Sequence, residues 1–300
     1  MCSDPDPWRG FERDGFVILR GILGACDLER IRSDLASLIE QRAQALHQRG
    51  KLPDLHSEAP FDVRFGLLMR DCPQIGDGFD IHRLRTRVLF EMLHHPRLLD
   101  ALEAVLGPEI SCNPIQHLRA KPPSRLSAGN GFFDVPWHQD SGVTLPEADR
   151  SPIFTCWIPI GRATNDMGCL RVLPGVHQRG HLPHVSSDYG TCIRPDALPQ
   201  VEPVILECEA GDVVVMSQFT PHHSTPNRSD VCRWSLDMRY HVTGAPSGRP
   251  WYPEFVVRSR AHPERILSDY TVWDALWRRA LEENPDKYSH RLENASANVS

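Results

Sequence analysis

The feature that most constrains the fold is a His-x-Asp pair, His138 and Asp140, followed by His222 about eighty residues later. Alternate side chains of a β-strand share a face, so His138 and Asp140 would point to the same side. His222 can join them only if a distant strand is brought alongside. Two histidines and one carboxylate suit non-haem Fe(II) and oxygen chemistry. The sequence therefore predicts a β-rich fold built around a metal site.

Arg233 adds a second requirement, because it lies eleven residues beyond His222. The planar guanidinium of an arginine binds a carboxylate through two parallel hydrogen bonds. An arginine at this position could therefore hold the carboxylate of a 2-oxoacid cosubstrate. The four residues together are a far more specific signal than a single His-x-Asp pair, which arises easily by chance in a chain with fifteen histidines.

A rival for the metal site is His56-Ser57-Glu58, which also pairs a histidine with an acid. Its surroundings predict a loop and show no strand pattern. His138 has the better context, because residues 129–131 (Gly-Asn-Gly) predict a loop before it and residues 153–160 (IFTCWIPI) predict a β-strand after it. We therefore favour His138 and Asp140 as ligands over a surface His–Asp pair.

A strict alternation follows in residues 233–240 (RWSLDMRY) and predicts a strand with two unlike faces. One face is polar (Arg233, Ser235, Asp237 and Arg239) and the other is apolar. From the pattern alone, the polar face could line a wet cavity or meet solvent. Arg239 could bind an anionic substrate near the rim, or form a structural salt bridge, with Asp237 as one candidate partner.

Several motifs in order give the chain a resemblance to a known family. They are WHQD at 137–140, WIPI at 157–160, NDMGCLRVLPGVH at 165–177, AGD at 210–212 and the pattern H-x-S-x-P-N-x-S-x3-R from His222 to Arg233. Together they resemble the phytanoyl-CoA dioxygenase-like branch of the Fe(II)/2-oxoglutarate-dependent oxygenases. The resemblance extends from about residue 11 to about residue 280.

The resemblance implies that His138, Asp140 and His222 are the ligands of Fe(II). His222 and His223 are adjacent, but the family spacing between the distal histidine and the arginine is eleven, which selects His222. His223 would then point to the opposite face of its strand.

The resemblance also implies that 2-oxoglutarate and O2 are cosubstrates. Arg233 would pair with the distal carboxylate of 2-oxoglutarate, Ser224 would add a hydrogen bond to that carboxylate, and Trp157 would border the cosubstrate. The expected reaction oxidises a small-molecule substrate, with hydroxylation as the default outcome, and releases succinate and CO2.

The predicted fold is mainly β with flanking helices around a double-stranded β-helix, the jelly roll of cupin-like proteins. A single oxygenase domain would span residues 1–283. It would comprise a helical part at about 1–108, a jelly-roll core at about 109–243 and a C-terminal helical extension at about 244–283. Residues 284–300 are expected to form a flexible tail.

Helical spacing of apolar residues predicts a long helix at about 27–47 and further helix at 84–106, interrupted near Pro96. Residues 263–283 return to helix. Trp273 and Trp277 lie one turn apart in that segment and are expected to anchor it against the barrel.

Composition narrows the classes of partner. The net charge of −6 without a concentrated basic patch argues against nucleic acid, and no apolar run is long enough to span a membrane. Nine scattered cysteines without a C-x-x-C motif indicate reduced thiols and a cytoplasmic protein.

Two other functions stay open at this point. A cupin-like iron dioxygenase that uses no 2-oxoacid would leave Arg233 dispensable. A non-catalytic small-molecule binder on the same fold would keep the sheets without turnover. The intact ligand set together with Arg233 favours the 2-oxoglutarate-dependent oxygenase over both.

Overall fold

The computed structural model describes residues 8–126, 134–188, 190–285, 287 and 289–293. These residues form seven α-helices and twelve β-strands, joined by turns and short 3₁₀ segments. The helices are α1 (Phe11–Asp14), α2 (Ala25–Gln48), α3 (Phe61–Asp71), α4 (Ile81–Leu84), α5 (Arg87–Leu93), α6 (Pro96–Leu106) and α7 (Tyr270–Glu283). The strands are β1 (Phe16–Leu19), β2 (Glu109–Cys112), β3 (His117–Lys121), β4 (Ile153–Pro159), β5 (Leu170–Val172), β6 (His184–Ser187), β7 (Gly190–Ile193), β8 (Val204–Leu206), β9 (Val213–Ser217), β10 (His222–Ser224), β11 (Arg233–Val242) and β12 (Phe255–Ser259).

Two antiparallel sheets build the core. The larger has seven strands in the order β1-β9-β4-β11-β2-β12, with β3 also paired to β11. The smaller sheet has the order β10-β5-β8, and apolar side chains of β4 and β9 pack against those of β5 and β8 between the two sheets. The other face of the larger sheet packs against the helices. This arrangement is the predicted jelly roll with flanking helices.

Strand β11 shows why the alternating sequence folds this way. Its apolar residues lie on the helix side of the larger sheet, where Trp234 packs against Phe61, Phe65 and Phe79. Its polar residues lie on the opposite face and are buried between the sheets. The sequence left open whether this polar face points to the interior or meets solvent, and the structure shows it in the interior.

The predicted helices are present, but the one expected at 263–283 begins only at Tyr270. The long helix expected at about 27–47 is α2, and the interruption near Pro96 is the break between α5 and α6. Pro96 is the first residue of α6, where a missing N–H costs no hydrogen bond. Trp273 of α7 is buried in the core cluster that also holds the sheet residues Phe255 and Val257, and its ring packs on Phe90 of α5. Within the described ranges, no helix combines the length and the apolar character needed to cross a membrane.

The larger sheet recruits strands from beyond the limits predicted for the jelly roll. Strand β1 comes from the part predicted to be helical and pairs with β9, with Phe16 opposite Met216. Strand β12 comes from the C-terminal part, also predicted to be helical, and pairs with β2. Both additions cover sheet edges with short strands, which protects otherwise unpaired backbone groups.

The C-terminal residues depart from the predicted flexible tail where the structure describes them. The backbone N–H of Arg291 donates to the carbonyl of Gly142 over 2.9 Å, and its guanidinium forms a salt bridge of 2.6 Å with Asp149. The hydroxyl of Ser289 donates to the carbonyl of Val143 over 2.6 Å. These residues lie against the segment that follows Asp140, because the carbonyl groups of that segment accept their hydrogen bonds.

Candidate active site

Three potential metal ligands converge between the two sheets. One ligand atom each from His138, Asp140 and His222 lies within 4.8 Å of the others. In the described part of the chain, no other group of three such side chains approaches as closely. The rival His56 instead lies 2.6 Å from the carboxylate of Asp71. Residues 129–131, predicted as the loop before His138, lie outside the described residues.

Backbone pairing holds the two histidines opposite each other. The N–H of His138 donates to the carbonyl of His222 over 3.0 Å, and the reverse bond measures 2.9 Å. The ring centroids are 4.1 Å apart. His223 lies on the other face of β10, as strand alternation requires, and its ring lies 4.0 Å from that of Trp137. The structure thus groups His222, and not His223, with His138 and Asp140.

Hydrogen bonds fix which ring nitrogen each histidine offers. The Nδ1 atom of His138 lies 2.9 Å from the carbonyl of Pro136, and that of His222 lies 3.0 Å from the carbonyl of Thr220. A carbonyl only accepts, so each Nδ1 carries a hydrogen, and in the neutral ring Nε2 then keeps its lone pair. Burial and the neighbouring His222 also hold the pKa of His138 well below its usual value. A neutral imidazole with a free Nε2 is the form that binds metals.

Asp140 is buried, and its negative charge is compensated by an arginine. The Nη2 atom of Arg239 lies 2.5 Å from Oδ1 of Asp140, and the hydroxyl of Thr155 donates to Oδ2. Burial alone would raise the pKa of Asp140, but Arg239 and then His222 hold that pKa well below its usual range. The carboxylate is therefore ionised and ready to bind a cation.

Arg233 lies on the same face of β11 as Arg239, but its environment is different. Its side chain is buried and donates one hydrogen bond, from Nη1 to the hydroxyl of Ser235 over 3.1 Å. Its guanidinium carbon lies 5.2 Å from the centre of the Trp157 ring. The Nε atom has no hydrogen-bond partner, and no carboxylate of the described residues forms a salt bridge with this guanidinium. Burial lowers the pKa of Arg233 to about 10.

Lys121 joins Arg233 and was missed by the sequence analysis. It lies directly opposite Arg233 in the pairing of β3 with β11. Its ammonium donates to the hydroxyl of Ser224 over 2.9 Å and lies 3.1 Å from Asp134. Burial, and then the charge of Arg233, lower the pKa of Lys121 to about 8. Two buried cations and one serine hydroxyl thus share one end of the site.

Two residues of the surrounding motifs, Gly168 and Asn227, hold nearby segments together. Gly168 has a φ of +66°, and an added Cβ would lie 2.2 Å from the carbonyl oxygen of Thr225. The side chain of Asn227 donates to the carbonyls of Lys121 and Val231, 2.8 Å away in each case. Both residues hold the end of β3 against the turn before β11, which places Lys121 beside Arg233.

A period-two pattern could have identified the missed residues. His117, Arg119 and Lys121 alternate along β3 as the polar residues of β11 do. Of the two roles left open for Arg239, the structural salt bridge is the one observed, but the candidate Asp237 is not its partner. Asp237 pairs with Arg119 at 2.7 Å, and Arg239 pairs with Asp140.

Known proteins resemble this chain over most of its length. The family model for phytanoyl-CoA dioxygenase (PhyH) matches residues 11–235. A probable phytanoyl-CoA dioxygenase of Caenorhabditis elegans is 26% identical over 77% of this chain and 73% of its own length. A 1-deoxypentalenic acid 11-beta-hydroxylase of Streptomyces exfoliatus is 26% identical over 81% of this chain and 84% of its own.

Solved structures support the same fold. The non-haem monooxygenase ThoJ is 20% identical, and it aligns with a TM-score of 0.60 over 93% of this chain and 99% of its own. The epimerase SnoN, solved with Fe3+, alpha-ketoglutarate and nogalamycin RO, is 21% identical, with a TM-score of 0.52 over 81% of this chain and 86% of its own. At this identity the likeness establishes the jelly roll alone. Together with the family match, it confirms the resemblance found in the sequence: the chain belongs to the phytanoyl-CoA dioxygenase family of Fe(II)/2-oxoglutarate-dependent oxygenases.

Proposed function

We propose that this enzyme hydroxylates a small organic molecule, with His138, Asp140 and His222 as iron ligands and Arg233 as the anchor of 2-oxoglutarate. The balanced reaction converts substrate, 2-oxoglutarate and O2 into hydroxylated substrate, succinate and CO2. The observation that carries the proposal is the combination of a closely grouped ligand triad with a buried arginine that forms no salt bridge with a described carboxylate.

The donor set fits Fe(II). Two imidazole nitrogens and one carboxylate are the ligands of the facial triad, which leaves coordination positions open. The Nδ1 hydrogen bonds of both histidines orient the rings. In known metal sites, the ring nitrogen that does not bind the metal makes the same kind of hydrogen bond. When bound, the iron supplies the redox centre at which 2-oxoglutarate decarboxylation is coupled to substrate oxidation.

The opposite end of the site fits the distal carboxylate of 2-oxoglutarate. The guanidinium of Arg233 offers a fork of N–H donors. The hydroxyl of Ser224 already accepts from Lys121, so its own hydrogen is available to donate to a carboxylate. Trp157 covers one side of the guanidinium and keeps it away from water. These residues bind and orient the cosubstrate, and their burial excludes solvent from it.

The same charge distribution disfavours the two alternatives. A dioxygenase that uses no 2-oxoacid has no need of an unneutralised buried arginine, which is costly to desolvate. A protein that only binds a small molecule does not need a triad in which two ring nitrogens and one carboxylate can together bind a metal ion.

The substrate is proposed to be a small molecule, since relatives include the 1-deoxypentalenic acid hydroxylase and a methylphosphonate hydroxylase of Gimesia maris, 33% identical over 51% of this chain and 53% of its own. We place the enzyme in the cytoplasm, without nucleic acid or membrane as a partner. The eight described cysteines are all free thiols, which suits a reducing compartment.

Anaerobic binding and turnover test this function. Adding 2-oxoglutarate to the Fe(II)-loaded enzyme should produce the visible charge-transfer absorption of a chelated 2-oxoacid. Admitting O2 should then yield succinate. His222→Ala should lose both signals, whereas Arg233→Met should keep metal binding and need far more 2-oxoglutarate. Wild-type enzyme that binds Fe(II) but never 2-oxoglutarate would favour the dioxygenase without a 2-oxoacid.

A further inference from the structure

Arg239 forms a buried ion pair with Asp140, and the proposed iron site gives Arg239 no role of its own. Arg239 is 3% exposed and Asp140 is 2% exposed. Both oxygens of the Asp140 carboxylate accept hydrogen bonds, one from Arg239 and one from Thr155. Each carboxylate oxygen has about two acceptor positions, so a cation still finds a free lone pair.

Arg239 is itself fixed in place. Its Nη1 donates to the carbonyl of Ile115 over 3.2 Å. Its own backbone carbonyl accepts from the N–H of Asn113 over 2.8 Å and from the side chain of Gln116 over 3.0 Å. The guanidinium therefore lies between the carbonyl of Ile115, in the connection from β2 to β3, and the carboxylate of Asp140. With so little exposure, it is not positioned to meet a substrate at the rim of the site, which was one expectation from the sequence.

The position of Arg239 has a consequence for the geometry of Asp140. Its short contact with Oδ1, together with the hydrogen bond from Thr155 to Oδ2, fixes the orientation of the carboxylate. Each oxygen already has one acceptor position occupied, so a cation must approach through the positions that remain.

We propose that Arg239 is a positioning residue for the metal centre, which fixes the Asp140 carboxylate in the orientation in which it meets the metal. This inference rests on the proposed metal site. A carboxylate that is already ordered loses little conformational entropy when the metal binds, whereas a free carboxylate would first have to be fixed. Thr155 acts in the same way on the second oxygen but brings no charge.

Metal binding by purified variants tests the proposal without any turnover. Titration calorimetry with Co(II) or anaerobic Fe(II) would compare wild type with Arg239→Met, Arg239→Lys and Thr155→Val. Partners that orient metal ligands typically contribute 10–100-fold to affinity, so we expect about that loss in Arg239→Met. Arg239→Lys should lie between Arg239→Met and wild type, because it keeps the charge but not the planar fork. Thr155→Val should lose less than Arg239→Met.

A matched control separates positioning from general destabilisation. Arg258→Met removes another largely buried arginine, which lies on β12, pairs with Asp100 and Glu103 of α6 and does not touch the triad. It should lower stability and leave metal affinity unchanged. The visible spectrum of bound Co(II) gives a second readout, since it depends on how the carboxylate is oriented at the ion. We expect the spectrum to change in Arg239→Met and not in Arg258→Met.

The outcomes are distinct. Wild-type metal affinity and an unchanged Co(II) spectrum in Arg239→Met would overturn the positioning role. If that variant does not fold, Arg239→Lys decides by the same criteria, with a several-fold loss expected and wild-type affinity contradicting the role. Failure of the wild-type protein to bind one metal ion, or undiminished binding by His222→Ala, would instead overturn the proposed metal site.

Discussion

Arg233 and Arg239 lie on the same face of β11, six residues apart, and both are almost completely buried, yet their surroundings are opposite. Arg239 forms a salt bridge of 2.5 Å with Asp140. Arg233 contacts the hydroxyl of Ser235 and the ring of Trp157, and no described carboxylate pairs with it. One arginine is neutralised by the protein and the other is not.

The difference indicates what each end of the site is prepared to bind. A buried charge is costly unless a partner of opposite sign is supplied. At the Arg239 end, the partner is Asp140, which stays anionic for a metal. At the Arg233 end, Lys121 pairs with Asp134 and Arg233 forms no salt bridge with a described carboxylate, so an anion from outside can supply the partner of Arg233. A dicarboxylate that binds the metal at one end and reaches Arg233 at the other satisfies both requirements.

The largest effect is expected at the metal end. His222→Ala removes a triad ligand and should abolish metal binding and succinate formation. His223→Ala should keep most of both, because His223 lies on the opposite face of β10 against Trp137. Metal content and succinate release measured on both variants check this. Loss confined to His223→Ala would reverse the assignment of the two histidines.

The next effect distinguishes the two arginines by stability. Arg239→Met leaves Asp140 buried without its counterion and should lower the free energy of unfolding of the metal-free protein by about 3–5 kcal/mol. Arg233→Met removes a charge that lacks a carboxylate partner, so it should stay within about 1 kcal/mol of wild type or gain stability. Urea unfolding in the presence of a chelator measures both. Equal losses would mean that the two arginines do not differ as described.

The smallest effect concerns Lys121 and pH. Its pKa of about 8 means that the ammonium is charged at pH 7 and loses its charge as the pH rises through 8. The pKa of Arg233 is about 10, so Arg233 stays charged over that range. Affinity for 2-oxoglutarate should therefore decline from pH 7 to pH 9. Lys121→Met should cost about 1 kcal/mol at pH 7 and flatten the decline. A variant with the wild-type pH profile would remove Lys121 from the cosubstrate site.

The sequence predicted those parts of the fold and site that depend on local periodicity or on recognisable motifs. The two faces of β11 follow from alternation within the strand, and the choice of His222 over His223 follows from its spacing to Arg233. The jelly roll followed from the family resemblance and from the run of short strands.

Contacts that depend on the pairing of distant segments were not accessible in the same way. Lys121 lies beside Arg233 only because of the register between β3 and β11. Asp140 reaches Arg239 from a turn outside the large sheet. The docking of Arg291 on the loop after Asp140 likewise joins segments about 150 residues apart, with no shared pattern in the sequence.

The most direct test of the role of Arg233 compares the binding of two 2-oxoacids to two proteins. The Fe(II)-loaded wild type and Arg233→Met would be titrated anaerobically with 2-oxoglutarate and with 2-oxobutyrate, which lacks the distal carboxylate. Arg233→Met should lose about 2–5 kcal/mol of binding free energy for 2-oxoglutarate, the usual cost of truncating one partner of a buried charge pair. Its affinity for 2-oxobutyrate should change little. An equal loss for both acids would contradict the account, since Arg233 would then support the site without binding the distal carboxylate.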